Sequence, residues 1–244
     1  MNSWAITDKG LIRRQNQDAY FVYCDEEHQT ALLLVCDGMG GAKAGNVAST
    51  LAADVFSSYV KQRLIQNKDE QDVEAVMKMA AQSANTAVFE KSVSDAMYAG
   101  MGTTLVAAYI SGTNSSILNI GDSRAYLISK YGIRQITRDH SVVEDLIASG
   151  DLTREEAKQH PNKNLITRAL GTSPNVVSDI FPIDVKEGEY LLLCSDGLTN
   201  LISDEELFQK VTTTEKLGDC CEQLLKLAMS RGAPDNVTLI VFKM

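Results

Sequence analysis

Four apolar runs in this chain each meet an aspartate at one end. "ALLLVC" leads into Asp37-Gly38, "YLLLCS" into Asp196-Gly197 and "ILNIG" into Asp122, while "VTLIVF" follows Asp235-Asn236. An ionised carboxylate resists burial, so a strand rich in Leu, Val and Ile can carry one only where it leaves the core. Taken singly, each is ordinary turn chemistry, Asp-Gly being a common turn pair. Together they gather like charges where packed strands end, which is costly unless a cation neutralises them. Oxygen ligands without a His or Cys cluster point to a hard divalent ion, Mg²⁺ or Mn²⁺. Two such ions sharing a carboxylate would trap and activate a water for attack on phosphorus. Arg13, in "GLIRRQNQD", supplies a guanidinium able to hold a phosphoryl group through two parallel hydrogen bonds.

The remaining pattern bounds the fold. "AYFVYC" and "ALLLVC" read as strands around a polar turn at Asp25 to Gln29. Val47, Leu51, Val55 and Tyr59 then recur at helical spacing, as do Val73, Val76, Ala80, Ala84 and Ala87. Strands return in "TTLVAAYI", "SSILNIG" and "RAYLIS", the last joined to "IRQIT" by a hairpin at Lys130-Tyr131-Gly132. Ser141 with Glu144 and Thr153 with Glu156 have the spacing of helix capping boxes, and Gly150 and Pro161 supply stops. A last strand pair, "EYLLLCS" and "NVTLIVF", flanks helices starting near Ser203 and Glu215. Strands grouped in runs rather than alternating with helices predict antiparallel sheets. No Pro/Gly/Ser-rich linker interrupts residues 1–244, so one domain is expected.

Charge narrows the partners. The chain has 32 acids against 23 bases, a net charge of −9, which disfavours polyanions, so neither nucleic acid nor an anionic membrane is expected to bind. The N-terminus lacks a signal-peptide pattern, no apolar run is long enough to span a bilayer, and a cytoplasmic monomer is expected. Five cysteines without paired spacing suit a reducing compartment and are expected to be free thiols.

The blocks "GLIRRQNQDAY", "LLVCDGMGGAKAGNVAS", "GTTLVAAYI", "NIGDSRAYLI", "TRDHSVVEDLIASG", "HPNKNLITRALG", "LLLCSDGLTNLI" and "APDNVTLIVF" come in the order seen in bacterial PPM, or type 2C, metal-dependent protein phosphatases, which the chain resembles over nearly its whole length. The resemblance implies an α+β fold, a four-layer α-β-β-α sandwich with two antiparallel sheets flanked by helices. It implies hydrolysis of phosphoserine and phosphothreonine by direct water attack, without a phosphoenzyme. Asp37 matches the carboxylate bridging two Mn²⁺ or Mg²⁺ ions, Gly38 offers its carbonyl, and Asp196 and Asp235 match the other direct ligands. Asp122 matches the acid of a third, weaker site shared with Asp196. Asp18 matches an acid acting through water, and Arg13 the phosphate-binding arginine. Residues 140–168 match a flap beside the site, where substrate choice is expected. Family habit also implies phosphorylated protein substrates and a cognate serine/threonine kinase as partners.

Some positions depart from the family pattern. Gln17 stands where many members carry glutamate, Met39 where eukaryotic members have histidine, and Ala42-Lys43 where bacterial relatives often carry His-Asn. His140 and His160 read more readily as structural than catalytic, which leaves protonation of the leaving alkoxide to a metal-bound water. The competing readings are a catalytically silent phosphoprotein-binding or sensor domain of the same fold, and a two-metal nuclease. All four direct positions and Arg13 are intact, against the first, and the acidic surface weighs against the second.

Overall fold

The computed structural model describes residues 1–40, 44–66, 72–112, 115–157 and 159–244. Its architecture follows from strands that are apolar on both faces. In β3 (Thr30–Met39), Leu32, Leu34 and Cys36 point one way and Ala31, Leu33 and Val35 the other, and all six are fully buried. A strand with two buried faces must lie between two layers. Here one face meets helices and the other meets a second sheet.

The first sheet runs β2 (Asp18–Asp25), β3, β5 (Leu105–Ser111), β6 (Ser115–Ile120), β9 (Asp179–Ile183), with the two-residue β4 (Gly102–Thr103) paired to the end of β3. The second runs β1 (Asn2–Asp8), β11 (Val237–Lys243), β10 (Tyr190–Cys194), β7 (Arg124–Ser129), β8 (Gly132–Gln135). Every pairing is antiparallel. Helices α1 (Ala44–Val60) and α2 (Val73–Ser94) cover the first sheet, packing Phe56, Val60, Met77 and Ala80 against Leu32, Leu34 and Leu118. Helices α6 (Asp204–Thr213) and α7 (Leu217–Ser230) cover the second, with Leu207, Val211 and Leu224 against Leu192, Leu239 and Val241. Between the sheets, Leu33, Val35, Val106 and Ile117 meet Leu191, Leu193, Ile240 and Phe242. The result is the expected four-layer sandwich.

Shorter helices among the described residues are α3 (Val142–Ser149) and α4 (Arg154–Ala157) in the flap and α5 (Asp196–Thr199) after β10, with a π-helical segment at Lys61–Gln66 and a 3₁₀ turn at Ala96–Tyr98. Ser141 caps α3, and Gly150 ends it in the left-handed conformation at φ 83°. Thr153 and Glu156 bond reciprocally at the start of α4. Ser203 and Glu206 form a full capping box on α6. All five cysteines are free.

Two strands lie outside the sequence-based expectation. β1 has a weakly alternating pattern with Trp4 half exposed, and it forms because all of β11 pairs with it, from Asn2↔Lys243 to Asp8↔Val237. β9, "DIFPI", contains Pro182, which only an edge strand tolerates. The Asp37-Gly38 pair is also not a turn. β3 continues through both to Met39, where Gly38 pairs with Thr103 of β4.

Strand parity places the acids. Asp37 shares a face with Ala31, Leu33 and Val35, and Asp18 shares one with Val22 and Cys24; both faces line the gap between the sheets. Ser195 and Thr238 continue the inner faces of β10 and β11 in the same way. The greasy gap therefore turns polar at one end.

Gly38 is fixed by close approach. A Cβ there would overlap the backbone carbonyl oxygens of Gly45 in α1 and of Gln17. Gly38→Ala is expected to destabilise the metal-free protein by about 2 kcal/mol or more, as overpacking against rigid backbone does, read as a lower urea midpoint with an unchanged m-value.

Candidate active site

The polar end of the sandwich collects aspartates from separate elements. Asp18 opens β2 and lies directly across from Asp37 in the register of β2 and β3. Asp122 sits in the turn between β6 and β7, Asp196 opens α5, and Asp235 precedes β11. Asp37 is pinned through its backbone: its N–H donates to Thr104 Oγ1 at 2.9 Å, and its carbonyl accepts from Thr104 N–H and from Thr103 Oγ1, each at 2.9 Å. Ser195 Oγ donates to Asp18 Oδ2 at 2.8 Å. Asn200 Nδ2 donates to Asp196 Oδ2 at 3.0 Å.

These acids repel one another. Burial first, and then the charges of Asp18, Asp196, Asp122 and Asp235, hold Asp37 well above the usual carboxylate range. Burial, with Asp196 and Asp139 nearby, pushes Asp122 up to about 7. Asp18 rises to about 6, chiefly through burial and against the hydrogen bonds from Thr238 and Ser195. Asp196 is raised by burial and by Asp235.

Arg13 reaches across from the N-terminal loop. Its Nη2 donates to Asp235 Oδ2 at 2.6 Å, joining residues 222 positions apart. The loop bearing Arg13 is clasped to the chain beside Asp235 by a single carboxamide. Asn236, nearly fully buried, donates through Nδ2 to the carbonyls of Lys9 at 2.9 Å and Gln15 at 3.0 Å, and its Oδ1 accepts from Gln17 N–H at 2.8 Å. Sequence reasoning passed over Asn236. Its signal was an asparagine beside a candidate aspartate, a pattern too common to single out.

Gln17 lies between the acids and α1. Its carbonyl accepts from Gly38 N–H at 3.1 Å and Ser49 Oγ at 2.6 Å, and its side chain packs where a Cβ on Gly45 would stand. Gly41, Ala42 and Lys43 fall outside the described residues. His140 is buried and held neutral, burial lowering its pKa. His160 accepts from Asn162 N–H within a flap turn. A cleft of about 220 Å³ is lined by Arg13, Asp196, Asn200, Leu201 and Asp235, with Asn164 of the flap.

Does this donor set suit divalent ions? The groups are carboxylates and a backbone carbonyl, the preference of Mg²⁺ and Mn²⁺. Asp18 Oδ1 and Asp196 Oδ1 are buried without any hydrogen-bond partner, an expensive condition that a cation would relieve. Among the described residues, no three His, Cys, Asp or Glu side chains are already drawn together as a closed metal shell. Asp235 is turned to Arg13 and Asp196 to Asn200. The orphaned oxygens and mutually raised acids outweigh that, because side chains swing onto a cation more easily than strands move. The residues fit.

A four-layer sandwich with such a cluster and an arginine at one end defines a metal-dependent hydrolase of phosphate esters. A family model described as protein phosphatase 2C matches residues 13–225. The serine/threonine phosphatase stp of Listeria monocytogenes is 37% identical over 235 residues, covering 96% of this chain and 92% of that protein. The S. agalactiae serine/threonine phosphatase superposes with TM-score 0.89 at 34% identity, over 100% of this chain and 99% of that one. The catalytic domain of the serine threonine protein phosphatase PstP, solved in complex with two manganese ions, superposes with TM-score 0.83 at 33% identity, over 98% and 96%. The chain belongs to the protein phosphatase 2C family. It is an enzyme of that family, and nothing in these likenesses favours the silent binding domain.

The raised acids predict a pH effect. Folded Asp122 keeps its proton up to about 7, whereas the unfolded chain loses it near the ordinary value of 3.8. The folded state thus binds more protons across that window, so stability falls as pH rises through it. In chelator, Asp122→Asn is expected to melt above wild type at pH 8, the advantage shrinking towards pH 4. Parallel Tm curves for the two proteins across that range would refute the assignment.

Proposed function

We propose that this phosphatase hydrolyses phosphoserine and phosphothreonine in proteins by direct attack of an activated water. Asp37, Asp196, Asp235 and the Gly38 carbonyl hold two Mn²⁺ or Mg²⁺ ions, Asp122 with Asp196 serves a third, weaker site, and Asp18 acts from the outer shell. When bound, the ions supply a nucleophile at neutral pH and neutralise charge on the phosphoryl oxygens. The observation that carries this reading is the pair of buried, partnerless oxygens on Asp18 and Asp196 amid mutually raised acids.

The chain's own residues do the rest. Arg13 Nη2, now on Asp235, is free to trade that carboxylate for a phosphoryl oxygen, since both are anionic acceptors at the mouth of one cleft. Thr103 and Thr104 fix the Asp37 backbone, so its carboxylate is oriented before any ligand arrives. Ser195 occupies one oxygen of Asp18 and leaves the other available. Asn164 brings the flap to the cleft rim, where the flanking peptide would pass.

Residues 1–244 act as one domain, with the flap at 140–168 as its substrate-facing part. Phosphoproteins, including a cognate serine/threonine kinase, are the proposed partners, met by a monomer in the cytoplasm. Among the described residues, no helix is long and apolar enough to cross a membrane.

Turnover of an aryl phosphate with and without Mn²⁺ is the first test, and absence of turnover at saturating Mn²⁺ would overturn the reading. Asp196→Ala is expected to abolish that activity with the fold retained, checked by circular dichroism. Arg13→Ala should instead lower kcat/KM at least tenfold, on the order of one lost charge-assisted contact. Calorimetric Mn²⁺ affinity of that variant should be unchanged or tighter, because Asp235 loses a competing partner. Metal affinity collapsing in Arg13→Ala would make Arg13 a structural residue.

A further inference from the structure

The buried imidazole of His140 touches three groups at once: the Gly121 amide, Asp179 and, 3.2 Å from its Nε2, the Arg168 guanidinium. Its Nδ1 accepts from the N–H of Gly121 at 3.1 Å, one residue before Asp122. That bond fixes the tautomer, so Nε2 carries the proton and donates to Asp179 Oδ2 at 3.2 Å. Arg168, in the flap, donates to the other oxygen of Asp179 at 2.8 Å. The backbone of His140 repeats the link. Its N–H donates to the Gly121 carbonyl at 2.9 Å, and its carbonyl accepts from Thr167 N–H, in the flap, at 2.8 Å. Ser141 bridges to Ile166, and Val142 N–H donates to Leu165 O at 2.9 Å. Asn119 Nδ2 holds the same turn, donating to the carbonyls of Gly121 at 3.2 Å and Arg138 at 3.0 Å.

We propose that His140 is a positioning residue that couples the flap to the turn carrying Asp122, so that neither shifts without the other. Among the described residues, the imidazole is the one side chain that grips the Gly121 amide from the flap side, and a bulky buried ring cannot rotate to follow one partner while keeping the others. The flap and the Asp122 turn thus form one mechanical unit. Peptide engagement at the flap is transmitted to the acid beside the reaction centre through a hydrogen bond rather than through the chain. The kinetic side of this inference rests on the phosphatase reading; the coupling itself does not.

Two substitutions separate the arms of the ring. Asparagine places an acceptor near the Nδ1 position, while glutamine places a donor near Nε2 and abandons Gly121. Site-resolved amide hydrogen exchange on the full chain in chelator is the deciding measurement. In His140→Gln, exchange at Gly121 and at Thr167 is expected to rise together, roughly tenfold for one lost buried hydrogen bond, while amides of β10 and β11 keep their rates. His140→Asn should return both sites towards wild type. Should His140→Gln fail to fold, His140→Leu, a buried apolar side chain that likewise abandons Gly121, must show the same paired rise. With Mn²⁺, His140→Gln should lose more kcat/KM on a phosphopeptide than on an aryl phosphate.

A rise at only one of the two sites overturns the coupling. So does faster exchange throughout both sheets, or identical behaviour of the asparagine and glutamine variants. If the wild type turns over neither substrate, the functional reading fails, and the exchange pattern still decides the coupling.

Discussion

Mutual repulsion among carboxylates at one end of the inter-sheet gap is the constraint to which the rest of the molecule answers. Asp18, Asp37, Asp122 and Asp196 each sit above the ordinary carboxylate range because burial and their neighbours disfavour the anion. Left to themselves, such groups would swing apart or drag their backbones outward. The scaffold prevents this by mounting them on elements whose own hydrogen bonds are already satisfied: a central strand, the start of a helix, a turn gripped from three sides. A cation that binds only the folded chain then stabilises fold and site together.

The two-faced burial of β3 explains how so polar a cluster survives. Its inner face runs Ala31, Leu33, Val35 and then Asp37, so one pleat carries the chain from the core to the acidic cluster without a bend. The helix-facing side keeps Leu32, Leu34 and Cys36 against α1 and α2. Both faces thus pack into a core, and the inner one also carries Asp37 at its end.

Much of this could be read before any coordinates. Leu, Val and Ile in runs of strand length announced the sheets, and the helical spacing of α1 and α2 was plain. Each aspartate alone is ordinary turn chemistry; the four stand out as a set, because like charges gathered where strands end call for a cation. What escaped reading was set by distant partners. β1 has little alternation of its own and is a strand because β11 lies beside it. Asp37-Gly38 has the dipeptide of a turn, yet pairing with Thr103 keeps it extended. The Asn236 clasp and the His140 bridge depend on backbone atoms 19 to 227 residues away, which no local pattern encodes. Composition hid Arg13's present partner for the same reason.

The clasp has a bearing on how the enzyme comes into being. Lys9, Gln15 and Gln17 are made 219 to 227 residues before Asn236, and β1 finds its neighbour only when β11 exists. Until then the growing polypeptide carries Arg13, Asp37 and Asp122 without Asp235 or the strand that follows it. The cluster is therefore complete only once the segment carrying Asp235 and β11 has been made, rather than accruing along the chain. A half-made chain emerging among phosphorylated proteins has nothing with which to attack them.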